Sequence, residues 1–75
     1  MNNPGEYGIK HQSFTIERKD LRLDLCENDR GTFLRITEVV GGRRNSVIIP
    51  AAGLGALHRA IGNMAAMLGG SDASA

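Results

Sequence analysis

The chain holds a single cysteine, Cys26, no tryptophan, one tyrosine and two phenylalanines among 75 residues. No apolar run approaches the length of a membrane-spanning helix. With no partner for Cys26, no disulfide can form within the chain, and the absence of an apolar signal segment fits a reducing compartment better than secretion. His11 and His58 lie far apart without a second ligand at metal spacing, so no zinc site is expected. "AAGLGALHR" has two glycines but no Lys-Ser/Thr after them, which excludes a phosphate-binding loop. Ser13 and Ser46 have no identifiable base. Cys26 lacks an activating histidine or cationic cluster and reads as an ordinary half-exposed thiol. The chain is not expected to be an enzyme, to carry a cofactor, or to act on a small-molecule substrate.

Length sets the next constraint. Seventy-five residues allow one domain, and a single core of this size rarely supplies more than about 3–5 kcal/mol without a staple, a metal or a partner chain. With the first two set aside, a homodimer is the expected remedy. The formal net charge of +1 conceals a gradient, because all the Lys and Arg residues except Arg59 lie between Lys10 and Arg44. Glu17, Asp20, Asp24, Glu27, Asp29 and Glu38 share that stretch, so any basic surface must arise by sorting charges between faces and turns.

Residues 1–7 and 69–75 lack periodicity and read as loose ends flanking one ordered unit over 8–68. That unit has four alternating segments and then one with helical spacing, an α+β order of β-β-β-β-α. The first strand, about Gly8 to Glu17, has Ile9 out of phase with Phe14 and Ile16. A β-bulge near Gln12–Ser13 would restore the phase, turning Lys10 and Gln12 outward with Thr15 and Glu17. In the second strand Leu21, Leu23 and Leu25 point one way, and Arg22, Asp24 and Cys26 the other. The "ERKD" turn between them lacks glycine, which leaves its loop length open.

"ENDRG" predicts a second hairpin through Asn28, Asp29 and Gly31. The third strand, Thr32 to Val40, then sets Leu34 and Ile36 against Phe33, Arg35 and Thr37. Gly41 and Gly42 are free to take positive φ in the third turn, and Ser46 to Ile49 form a short fourth strand. Pro50 ends it and suits the first turn of a helix. From Ala52 to Leu68, the residues Leu54, Leu57, Ile61, Met64, Ala65 and Leu68 form one stripe. The stripe predicts a helix lying on the sheet, with Leu54, Leu57, Ile61, Met64 and Leu68 as dimer core. Asp24 and Glu38 are expected to pair with arginines on neighbouring strands.

"RKDLRLDLCENDRGTFLRITEV", followed by a Gly/Arg turn, "RNSVIIP" and an amphipathic helix, resembles one repeat of the Pur-alpha family of purine-rich single-stranded nucleic-acid binders. The resemblance covers about Ile9 to Leu68. It implies a curved four-stranded antiparallel sheet followed by one helix, a whirly-like PUR repeat. Two such repeats interlock with helices crossing, so a chain with one repeat would form an intertwined homodimer. It also implies binding to G-rich single-stranded DNA or RNA, transcriptional or RNA regulation, and residence in the nucleus or cytoplasm. Lys10, Gln12, Arg18 and Lys19 fall at the family's polar and basic contact positions. Arg22 stands where many members carry an aromatic, and Asp20 replaces a basic residue.

Phe33 and Arg35, two apart on one face, supply what single-strand binding needs: a flat ring for stacking and a cation for the backbone, with stacking worth about 1–3 kcal/mol per base. Phe33 could equally be covered by a partner subunit or by the first strand. Arg43 and Arg44 suit a solvated turn. The candidate contacts are therefore Lys10, Gln12, Arg18, Lys19, Arg22, Phe33 and Arg35. A dimeric protein-assembly module with little nucleic-acid binding is the alternative, favoured by the modest net charge and by Arg22 and Asp20.

Overall fold

A computed structural model describes residues 5–69. Four strands, β1 (Tyr7–Ile16), β2 (Lys19–Asn28), β3 (Gly31–Val40) and β4 (Arg43–Pro50), form one antiparallel sheet in the order β1-β2-β3-β4. A single 3-10 turn, Ala51–Gly53, leads into α1 (Leu54–Met67). The expected β-β-β-β-α order is what the chain adopts. β4 is longer than Ser46 to Ile49, and Pro50 is its last residue, extended at φ −59° and ψ 148°, so it precedes the helical segment and does not enter its first turn.

All three connections are two-residue hairpins, each closed differently. At the third, Gly41 and Gly42 both take positive φ, 56° and 82°, the pattern of a tight primed turn. At the second, the Asn28 side chain accepts the Arg30 N–H at 2.8 Å, and Gly31 follows at φ 128°. The first, Glu17 and Arg18, has no glycine, and Glu17 itself is forced to φ 56°. Left-handed backbone costs a residue with a Cβ about 1–2 kcal/mol, so the pairing of β1 with β2 imposes strain there.

Register sorts the side chains into two faces. Leu23 lies between Gln12 and Ile36, and Ile36 is beside Val47; Leu25 lies between Lys10 and Leu34, and Leu34 is beside Ile49. This is the aliphatic face, extended by Phe14 beside Leu21. The β1 bulge falls between Gly8 and Lys10, not near Gln12–Ser13. Alternation then runs unbroken from Lys10 to Ile16, which puts Lys10 and Gln12 on the aliphatic face with Phe14. Their polarity suggested the opposite face, but an edge strand tolerates polar groups on its apolar side where no cover excludes water.

α1 does not lie on the sheet. Its contact with the rest of the chain is concentrated at the 3-10 turn, which in turn touches β3. Three residues between strand and helix give the chain no room to reverse, so the expected intrachain sandwich does not form. Ile61, Met64, Met67 and Leu68 are left between 57% and 88% exposed, and Phe14, Ile16 and Val47 on the sheet are about half exposed. The radius of gyration is 14.3 Å, against about 11 Å for a compact domain of this length. α1 stops at Gly69 (φ 77°), whose N–H donates to the Ala66 carbonyl at 3.0 Å.

Glu17 gives the fold its first test. Asparagine, which tolerates positive φ, should stabilise the protein by about 0.5–1 kcal/mol, and valine should destabilise it by about 1 kcal/mol or more, read as opposite shifts of the urea midpoint. The reverse order would contradict the strained turn.

Candidate nucleic-acid interface

The second face of the sheet is built in rows. His11, Asp24, Arg35 and Ile48 form one; Ser13, Arg22, Thr37 and Ser46 the next; Thr15, Asp20, Val39 and Arg44 a third. Cys26, Phe33 and Pro50 complete it at the other end. Cys26 and Thr37, the buried residues among those described, both belong to this face. The reason is the length of its side chains: Arg35 and Glu6 fold over the polar face, whereas among the described residues no element packs over the aliphatic one.

Arg35 is the hub. Its two terminal nitrogens donate to the two carboxylate oxygens of Glu6, at 2.9 and 3.3 Å, and its guanidinium carbon lies 5.5 Å from the centre of the Phe33 ring. Glu6 holds the guanidinium more firmly protonated than usual. The half-buried Phe33 ring thus has the guanidinium of its own strand over it. Arg22 donates through Nε to both oxygens of Asp24, at 3.1 and 3.0 Å. Asp24 therefore pairs along β2 and not across to Arg35, because Glu6 already occupies Arg35. Glu38 pairs with Lys19 at 3.1 Å, a cross-strand cation but not an arginine.

Two clefts flank the Glu6–Arg35 pair. One, of about 330 Å³, is polar and bordered by Tyr7, His11, Arg22, Asp24 and Cys26. The other, of about 450 Å³, is bordered by Asn28, Arg30, Phe33, Ile48 and Pro50. Glu6 and Arg35 border both. The second offers apolar walls for a base beside cations for a phosphate.

The predicted contact residues divide. Arg22, Phe33 and Arg35 share the polar face; Lys10, Gln12 and Lys19 project from the aliphatic face; Arg18 sits in the hairpin turn. Among the described residues Lys10, Arg18, Arg30, Arg43, Arg44 and Arg59 make no ion pair; all but Arg59, which lies on α1, are at turns or on the edge strands. Sequence reasoning missed Glu6, which precedes the first alternating segment and leaves no periodic signal. It also misread Cys26, which is only 4% exposed. Phe33 stands beside Cys26 in the register, Gly8 on its other side, and the Arg35 guanidinium 4.0 Å from its sulfur. Among the described residues no cluster of His, Cys, Asp and Glu could hold a metal ion, and no helix is long and apolar enough to cross a membrane.

The four-stranded meander with a trailing helix carries a polar face that interleaves arginines with an aromatic ring and small hydroxyl residues, the groups that nucleic-acid contacts use. The comparisons agree. The family model for PurA ssDNA and RNA-binding protein matches residues 1–74, and the chain belongs to that family, whose members bind single-stranded nucleic acid and are not enzymes. It is similar to "Transcription factor Pur-alpha 1" of Arabidopsis thaliana, with 47% identity over 67 residues that make up 84% of this chain and 23% of the relative. The chain therefore spans about a quarter of that relative's length.

Burial raises the Cys26 thiol above its ordinary value, with Glu6 and Asp24 adding to the shift and Arg35 opposing it. Since the thiolate is the nucleophile, iodoacetamide should modify Cys26 more slowly in the folded protein than in the urea-unfolded chain at the same mildly alkaline pH. Its rate should also rise toward a higher midpoint. Equal rates would contradict the buried thiol.

Proposed function

We propose that two copies of this chain form one PUR domain that binds purine-rich single-stranded DNA or RNA, in transcriptional or RNA regulation within the nucleus or cytoplasm. The observation that carries the reading is the contrast between the two sheet faces. One is aliphatic and uncovered, and its natural cover, the apolar stripe of α1, projects away from it. A second copy supplies the missing helix by symmetry, and each copy receives what it gives. Leu54, Leu57, Ile61, Met64 and Leu68 form the proposed interface. Burying each large apolar side chain there contributes roughly 1.5–3 kcal/mol, which a fold this small needs.

The dimer leaves the polar faces outward. Arg22, Phe33 and Arg35 then serve as stacking and phosphate-contacting groups, with Arg18 at the hairpin end. Lys10 and Gln12 reach the same strand from the edge strand β1, and Lys19 from the start of β2 beside the first hairpin turn. Purine preference follows from stacking, because purines offer the larger π surface to Phe33 and to an Arg guanidinium. The Arabidopsis relative's name as a transcription factor supports a nuclear role.

Fluorescence anisotropy with a labelled G-rich DNA strand at two salt concentrations tests the binding. Micromolar or tighter affinity that falls steeply with salt is expected, and replacing Arg18 and Lys19 together with alanine should weaken it without changing the oligomeric state. No binding at low salt would favour a protein-assembly module instead. Ile61→Ala separates dimer from monomer: it should destabilise the protein by about 2–4 kcal/mol if the side chain is buried between copies. A change within about 0.5 kcal/mol, as at an exposed position, together with a monomer in sedimentation equilibrium, would contradict the dimer.

A further inference from the structure

Glu6 lies immediately before β1, and its carboxylate, though on a small and open fold, is only 9% exposed. It occupies both terminal nitrogens of Arg35 and borders both clefts of the polar face. The guanidinium it holds caps the Phe33 ring. One ion pair therefore lies beside the aromatic ring, occupies a two-nitrogen anion-binding fork, and borders both cavities.

We propose that Glu6 is an autoinhibitory latch: an internal carboxylate standing where the backbone phosphate of a single strand binds, displaced when the strand arrives. The inference rests on the single-strand reading above. Carboxylate and phosphate present the same paired oxygens to a guanidinium, so the exchange replaces one bidentate anion contact with another: Arg35 stays paired and the released Glu6 carboxylate is solvated by water. Release moves the guanidinium off Phe33, opens the ring to a base, and joins the two clefts into a groove from Pro50 to His11. The local backbone suits such a movement. Gly5, at φ 81°, provides a pivot directly before Glu6, and the bulge between Gly8 and Lys10 interrupts the pairing of β1 with β2 directly after it.

The latch raises selectivity as well as setting affinity. A weak anion or a short oligonucleotide must compete with a tethered carboxylate, whereas a strand that also stacks on Phe33 gains enough to displace it.

The test uses the full chain and a labelled G-rich DNA strand. Glu6→Gln should tighten binding by about tenfold at low salt and steepen the salt dependence by about one phosphate contact. Arg35→Gln should weaken binding, and Glu6→Gln should confer no gain in that background. Glu27→Gln, which removes the same charge from the opposite face, serves as the control and should give none of the tightening. A second measurement needs no variant: on adding strand to wild type, the Glu6 side-chain carboxyl 13C resonance and the Arg35 Nε resonance should shift together. A Glu6→Gln protein that melts like wild type but binds no more tightly would overturn the latch, as would resonances unmoved at saturation. If neither wild type nor Glu6→Gln binds the strand, both the single-strand reading and the latch fall; if wild type binds and Glu6→Gln gains nothing, the latch alone falls.

Discussion

The aliphatic face of the sheet has to be covered, and the chain that makes it carries α1 away from it. Leu23, Leu25, Leu34, Ile36, Val47 and Ile49 are brought side by side by register, and they remain partly exposed because the 3-10 turn after Pro50 sends α1 outward. Hydrophobic burial is the dominant favourable term in folding, so this uncovered face has the most to gain from a partner surface. The exposed Ile61, Met64 and Leu68 on α1 are the complement of the exposed sheet. The proposed second copy covers both surfaces at once.

That division of labour determines what the other face can do. A sheet that packed its own helix would still have a free face, but the helix could then cover only the chain that bore it. In the proposed dimer each copy lends its helix and keeps a polar face stiffened by its own contacts: Arg22 on Asp24, Arg35 on Glu6 and over Phe33, Thr37 bonded to Ser46 at 3.0 Å. These contacts hold the cationic groups in place and partly neutralise them; under the proposed latch, affinity for an anionic strand is set by exchange of partners more than by net charge. The free cations at the turns, Arg18, Arg30, Arg43 and Arg44, supply the unscreened attraction.

Much of this was legible in the sequence. Alternation in β2 and β3 identified both faces correctly, because a central strand flanked on both sides has no freedom to slip without exposing its whole leucine set. The turn at Gly41–Gly42 was readable because two glycines permit a primed turn. What was illegible shares a physical cause: it depends on partners distant in the chain. The bulge position depends on which β2 residue each β1 residue meets, and Lys10 and Gln12 looked outward only because they are polar. The direction of α1 depends on a three-residue joint, whereas its stripe said only that something would cover it. The role of Glu6 depends on Arg35, which is 29 residues away, and the burial of Cys26 on the same guanidinium.

The account's central claim, that each helix covers the sheet of another copy, is tested most directly by isotope-filtered NMR on a mixture of labelled and unlabelled chains. Intermolecular cross-peaks between the methyl groups of Ile61 and Met64 and those of Leu23 and Ile36 are predicted. Cross-peaks between the same groups confined to within one chain, or none at all in a folded sample, would contradict it.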